Sequence, residues 1–467
     1  MISGDDLRTA RLSCGLSLGQ LGRLIGRDKG HLSRVETGHG RQVTPALLHA
    51  YEQALGVKIV AASSEDPAPS DETAEARTLS ALREVSAVGS GETEADLLIV
   101  RGTSTAELIS RFTKEDLAYD RREAARSLVA ILFGAALLER AEGWLFAAEP
   151  SLTPRRTAGI GYQEIEQIEQ GARLFRSWDN QFGGGLRRKA VIGQLTEVAD
   201  ELRDFSHPAE LTRRLHGAMA QLAATAATMS WDSGQGGVAQ RYYLLALRAA
   251  KAADDPAFCA NILAGMARQQ YYLGRVSEGL ELVRLAQDGT GRRLTPAVLG
   301  MLHTREAWAY AKQGRLGAFR RATGYAEDRL RDADPTVEPY WISYFDQAEL
   351  AGVTGGRLLE IAYQAPEHAD EAATWLGQAV ALRDRHSLRS AALDQLGFAE
   401  VRLIQGEYDE AARLGHEAVN TVEQTQSTRV RVKLAEFYRH AGSTTATGTI
   451  AALRSRIEPI LRAAPAA

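Results

Sequence analysis

Apolar residues near the start of the chain recur with the period of short amphipathic helices. Leu21 and Leu24 lie three positions apart in "SLGQLGRLIG", which ends at Gly26, and Leu32 and Val35 repeat that spacing in the next segment. A glycine between two such segments is typical of a turn. The pattern therefore predicts two short helices joined tightly, after a first helix over "DDLRTARL".

Residues that cap helices mark where the next two helices begin. Asp28 precedes the third predicted helix, and Thr44 followed by Pro45 precedes "ALLHAYEQALG". Asp and Thr side chains accept hydrogen bonds from the free N–H groups of a first helical turn, and proline suits its first position. We therefore expect helices from Asp28 to near Gly38 and from Pro45 to Gly56 within one small domain, residues 1–60.

The composition changes after this domain. Residues 61–78 are rich in Ser, Pro, Ala and acidic residues, which predicts a flexible acidic linker. Residues 79–104 form a short strand or a helix, and the pattern does not decide between them. Residues 79–209 as a whole are predicted to be a helical connecting region that can supply a dimerisation surface.

Segments of the C-terminal half align on Gly234, Gly274, Gly314 and Gly406. A glycine that turns the chain, followed by small residues where one helix presses on the next, is what a stacked helix pair requires. Small or apolar residues follow each glycine at two matching positions, namely Ala239, Gly279, Phe319 and Ala411, and then Ala246, Ala286, Ala326 and Ala418. The sequence predicts helical repeats over 210–440, a C-terminal helix and tail over 441–467, and an all-α protein.

Composition and charge narrow the class of protein. A chain of 467 residues should hold about two to four domains. Its net charge of −4 gives no whole-chain indication of nucleic-acid binding, so any basic surface must be local. Cys14 and Cys259 show no disulfide framework or zinc-ligand spacing, which favours the reducing cytoplasm. We expect no metal, no cofactor and no enzyme activity, because catalytic motifs such as H-E-x-x-H and G-x-S-x-G do not occur.

The third predicted helix carries the side chains best suited to DNA. Lys29 and Arg34 match the N7 and O6 acceptors of guanine, and Gly30 allows close approach to a base edge. Ser33 and the backbone near Thr37 suit phosphate oxygens. The roles of two further residues stay open: His31 is ambiguous, and Arg41 either approaches a phosphate or is solvated.

Residues 3–57 resemble the phage-repressor-like (Cro/XRE) helix-turn-helix family through "GLSLGQLGRLIG", "HLSRVETG" and "TPALLHAYEQALGV". The resemblance implies that residues 28–36 enter the major groove of double-stranded DNA. It also implies a buried ion pair between Arg11 and Glu36. Leu18 stands where many members have a phosphate-binding Gln, so the resemblance does not extend to that contact.

The C-terminal half resembles tetratricopeptide (TPR) repeats, with a spacing of about 40 residues where the type unit has about 34. "LFRSWDNQFGGG" and "WDSGQGGVAQRYYLLALRAA" are similar to actinobacterial regulators that join such repeats to a helix-turn-helix, many of them linked to secondary metabolism or differentiation. The first helix of each repeat should line a concave groove for a signalling peptide, a small molecule or a protein partner. Counting back from the turn glycines gives the groove candidates Gln221, Trp231, Asp232, Asn261, Arg268, Tyr271, Trp308 and Lys312.

Together these features predict a cytoplasmic transcriptional regulator that binds DNA as a homodimer and does not enter the membrane. A single recognition helix contacts few base pairs, and two-fold pairing multiplies its specificity. The alternative is a TPR adaptor that gathers proteins without recognising an operator.

Overall fold

The computed structural model describes residues 7, 11, 21–22, 25–36, 43–55, 103–118, 132–146, 159–182, 187–289, 294–384, 387–425, 427–442 and 448–462. The chain divides into two compact units, Met1–Ser90 and Gly91–Ala467. The regular structure of the described residues is helical, which confirms the all-α expectation. Among the described helices, none has an apolar stretch long enough to span a bilayer.

Two helices of the first unit have defined bounds. Helix α1 spans Lys29–Glu36 and helix α2 spans Pro45–Leu55. Earlier in this unit, Leu7, Arg11, Leu21, Gly22 and Ile25 are helical, and the rest of the two predicted helices lies outside the described residues. The core contains fully buried side chains from all of these segments: Leu7, Leu21, Leu32, Val35 and Tyr51, with Leu47 at its edge.

The second unit consists of helices throughout its described length. They are α3 (Thr105–Ala118), α4 (Gly134–Phe146), α5 (Tyr162–Phe182), α6 (Arg188–Asp204), α7 (Ala209–Asp232), α8 (Gly236–Ala252), α9 (Pro256–Tyr272), α10 (Val276–Gly289), α11 (Pro296–Lys312), α12 (Leu316–Asp332), α13 (Gln347–Ala362), α14 (Ala369–Leu382), α15 (Leu388–Ile404), α16 (Tyr408–Val422), α17 (Thr428–Gly442) and α18 (Gly448–Arg462). Short 3₁₀ helices at Tyr340–Ile342 and Pro366–His368 precede α13 and α14.

Helices α7 to α16 pack as consecutive pairs. The first helix of a pair also packs on the first helix of the next pair, from α9 through α11 and α13 to α15. The aligned glycines end the first helices of four pairs, with φ of +77° at Gly234, +74° at Gly274, +68° at Gly314 and +78° at Gly406. This left-handed conformation disfavours any side chain, which explains why glycine recurs at the turn.

Small residues lie where the helices meet. Ala246, Ala286, Ala326 and Ala418 are each 0% exposed. At Gly279, an added Cβ would overlap the ring of Tyr271. The α13–α14 pair follows the same rule, because Ala372 and Ala379 are also fully buried. The predicted helical stack is therefore confirmed in both its turns and its interhelical contacts.

A buried charge cluster joins helices that are far apart in sequence. Asp232, at the end of α7, accepts a hydrogen bond from Arg429 Nε at 2.7 Å and one from Arg389 Nη1 at 3.3 Å. Arg389 also donates to the carbonyl oxygen of Asp179 in α5. Burial alone would raise the pKa of Asp232, but the two guanidinium groups outweigh it and hold that pKa below its usual value. The cluster connects α5 and α7 to α15 and α17.

We predict that Gly314→Ala lowers the stability of the repeat region. The left-handed backbone costs an alanine about 1–2 kcal/mol, whereas Gly317→Ala, three residues on and inside α12, should be neutral or stabilising. Urea unfolding of the full chain, followed by far-UV circular dichroism, compares the two. Equal midpoints for both variants would show that the turn conformation contributes nothing.

Candidate nucleic-acid interface

The turn before α1 is built around two glycines. Gly26 has a φ of +64°, and the N–H of Arg27 donates to the carbonyl oxygen of Gly22 at 2.8 Å. A Cβ added to Gly22 would lie 2.6 Å from the carbonyl oxygen of Arg27, which is closer than real Cβ contacts allow. The chain can therefore turn tightly before α1 only because both positions lack a side chain.

Helix α1 starts and packs as its sequence predicts. The N–H of His31 donates to Asp28 Oδ1 at 3.2 Å, so Asp28 caps the first turn. In the same way, Leu47 N donates to Thr44 Oγ1 at 3.3 Å at the start of α2. The inward face of α1 presents Leu32 and Val35, which are 0% and 1% exposed.

An ion pair fixes α1 against the rest of its domain. Arg11 Nε donates to Glu36 Oε1 at 2.7 Å and Arg11 Nη2 donates to Glu36 Oε2 at 2.6 Å, a bidentate contact. The pair implied by the family resemblance is thus present. Tyr51 of α2 adds a third bond, from its hydroxyl to Glu36 Oε1 at 2.9 Å.

The surroundings of this network are nearly dry. Arg11 and Glu36 are 5% and 3% exposed, and the hydrogen bonds to Glu36 raise the pKa of the Arg11 guanidinium. Burial, together with the Glu36 carboxylate, raises the pKa of the Tyr51 hydroxyl. The Arg11 guanidinium therefore stays charged and the Tyr51 hydroxyl stays protonated near neutral pH.

Two of the predicted DNA contacts on α1, His31 and Arg34, have described side chains. Arg34 is exposed and His31 is half-buried, while Arg27 and Asp28 are exposed beside the first turn. The backbone of Lys29, Gly30 and Ser33 belongs to α1, and their side chains lie outside the described part of the structure. Thr37 and Arg41 also lie outside the described residues.

The groove candidates of the repeat region fall into three environments. Asp232 is buried in the charge cluster, and Tyr271 and Trp308 are buried with their ring centroids 5.2 Å apart. Half-buried positions are held by Gln221, Trp231, Asn261 and Arg268, and Lys312 is exposed. Three further residues border these candidates but were not predicted: Tyr272, Arg357 and Glu360. Tyr272 was within reach of sequence reasoning, because it precedes Gly274 by the same interval as Asp232 precedes Gly234.

Two features of the described residues concern metal binding and cysteine chemistry. No group of three or more His, Cys, Asp or Glu side chains within them is arranged to hold a metal ion. Cys259 is a buried thiol whose pKa is raised to about 12 by burial, and Cys14 lies outside the described residues.

Comparison with known proteins identifies the N-terminal segment. A family model described as a helix-turn-helix domain matches residues 4–62. No curated protein and no solved structure matches the chain. Residues 4–62 therefore carry the class of domain that places its second helix-turn-helix element in a DNA groove.

We predict that Glu36→Gln destabilises the helix-turn-helix domain. It leaves the buried Arg11 guanidinium without a counter-charge, which costs about 3–5 kcal/mol when a buried pair is broken on one side. Hydrogen–deuterium exchange of the full chain should show loss of protection in peptides covering residues 29–55. Glu52→Gln, at a half-buried position in α2, is the control and should retain protection. Equal exchange in both variants would contradict a structural role for the Arg11–Glu36 pair.

Proposed function

We propose that the protein is a sequence-specific DNA-binding transcriptional regulator whose helical-repeat region receives a signal or a protein partner. The observation that supports this most directly is the orientation of α1. Leu32, Val35 and Glu36 are held in the core of a helix-turn-helix domain, and Arg34 is exposed on another face of the same helix. A short helix held on one side by a core and an ion pair presents its other side to a groove without further ordering.

The proposed contacts divide between bases and backbone. Arg34 and Lys29 read guanine through N7 and O6, and Gly30 lets α1 approach a base edge. His31, Ser33, Thr37 and Arg41 contact phosphates or the groove wall and set the register of the helix without specifying sequence. Arg11 and Glu36 act through structure alone.

A homodimer is the proposed DNA-binding form. One helix reads only a few base pairs, and two copies reading half-sites about one helical turn apart supply the specificity that a genome demands. The dimer surface is assigned to residues 79–209 or to the repeats.

The repeat region is proposed to receive the signal in the cytoplasm. Partly exposed groove residues such as Trp231, Arg268 and Lys312 are available to a peptide, small molecule or protein partner. Capture of that ligand would alter the curvature of the stack and so the spacing of the two DNA-binding domains. Control of secondary metabolism or differentiation is the proposed setting, and it rests on the resemblance to actinobacterial regulators.

We predict that Arg34→Ala weakens operator recognition at one base pair. An operator is first selected from random duplexes with the wild-type protein, and binding is then followed by fluorescence anisotropy on that operator and on its single-base variants. Loss of a base contact should remove about 1–3 kcal/mol of discrimination at one position, or about 5- to 150-fold in affinity ratio. Other positions should keep their preference.

The matched control is Arg331→Ala, which removes a highly exposed arginine from α12. It should bind the operator like wild type. Unchanged affinity and preference in Arg34→Ala would remove Arg34 from the base-reading residues. A wild-type protein with no sequence preference and little salt dependence would instead favour the adaptor function, because phosphate contacts make DNA binding steeply salt-dependent.

A further inference from the structure

Three aromatic side chains from successive helix pairs form a continuous row, here called the aromatic row: Trp231 of α7, Tyr272 of α9 and Trp308 of α11. The ring centroids of Trp231 and Tyr272 lie 6.4 Å apart, and those of Tyr272 and Trp308 lie 5.2 Å apart with the rings at 89°. Each spacing is within the range of a favourable aromatic contact. The row therefore links the first helices of three successive pairs through ring contacts.

Packing between repeats accounts for only part of the aromatic row. Trp308 is 5% exposed, as expected of a packing residue, but Tyr272 is 47% exposed and Trp231 is half-buried. The indole Nε1 of Trp308 is buried and has no hydrogen-bond acceptor among the described residues. Packing at Trp308 therefore leaves one polar group unsatisfied.

Two cations, Arg357 and Lys312, lie beside the row. The guanidinium carbon of Arg357 lies 3.9 Å from the centroid of the Trp308 ring. Arg357 pairs with Glu360, and Lys312 Nζ lies 3.4 Å from the other oxygen of the same carboxylate. Two cations thus share a single carboxylate. Lys433 also interacts electrostatically with Glu360, but it forms its ion pairs with Glu400 and Glu436.

We propose that this surface binds an aromatic anion, a planar ring system carrying a carboxylate or sulfonate group. The ring lies against Tyr272 and Trp231, and the anionic group is held by Arg357 and Lys312. Charge complementarity selects the anion, because the pair of cations has one carboxylate between them. The assignment rests on the proposed signal-receiving role of the repeats and names the chemical class of the signal.

Two fluorescent probes with closely related ring systems test the charge and the ring separately. The anionic probe is 8-anilinonaphthalene-1-sulfonate, and the neutral probe is N-phenyl-1-naphthylamine, which lacks the sulfonate. Titrations use the full chain without DNA. Wild type should bind the anionic probe saturably and more tightly than the neutral one.

The variants are chosen to separate the two parts of the site. Arg357→Gln and the exposed-site variant Lys312→Gln should each weaken the anionic probe at least fivefold and change the neutral probe less than twofold. Tyr272→Ala should weaken both probes at least fivefold. Tyr325→Ala, which removes another half-exposed tyrosine, from α12, is the matched control and should bind both probes like wild type.

Folding of each variant is checked by its thermal midpoint, and the Lys312 and Tyr272 substitutions change exposed side chains. Anionic-probe affinity within twofold of wild type in Lys312→Gln and Tyr272→Ala would overturn the proposal. The same outcome would follow if wild type bound both probes equally. Operator binding by these variants is measured separately, so that intact operator recognition with no probe site would reject this inference and leave the proposed DNA-binding function standing.

Discussion

The Glu36 carboxylate, which is held between the Arg11 guanidinium and the Tyr51 hydroxyl, fixes the orientation of α1 in the N-terminal domain. Glu36 accepts hydrogen bonds from Arg11 and Tyr51 in a site that is almost closed to water. A charge buried in this way is tolerated only while its partners stay in place, so the last turn of α1 cannot rotate without a large penalty. Because Leu32 and Val35 occupy the core on the same helix, the orientation of Arg34 follows from the ion pair and the packing together.

The repeat region depends instead on contacts between neighbouring helix pairs. No helix pair has enough apolar surface to fold alone, and each pair is stabilised by its neighbours. Glycines at the turns and alanines at the contacts allow the pairs to pack closely. The charge cluster around Asp232 then adds contacts that nearest-neighbour stacking does not provide, because Arg389 and Arg429 lie 157 and 197 residues away in sequence.

The two units suit the two roles proposed for them, DNA reading and signal reception. DNA reading requires a rigid helix with a defined outward face, and the Glu36 network provides that rigidity. Signal reception requires a surface whose chemistry can be completed by a ligand. The aromatic row, with the cations Arg357 and Lys312 on one carboxylate, has that incomplete character.

Local patterns in the sequence determined where helices begin, where they turn and which faces pack. Asp28 and Thr44 cap α1 and α2, and the four aligned glycines turn the chain, because capping and φ preferences involve only a few neighbouring residues. The Arg11–Glu36 pair was available only through family resemblance. The partners of Asp232, the Tyr51 contact and the grouping of Tyr272, Arg357 and Glu360 were decided by the tertiary structure. Each joins side chains on different helices, and the energy of such a contact depends on distances and burial that exist only once the helices have packed.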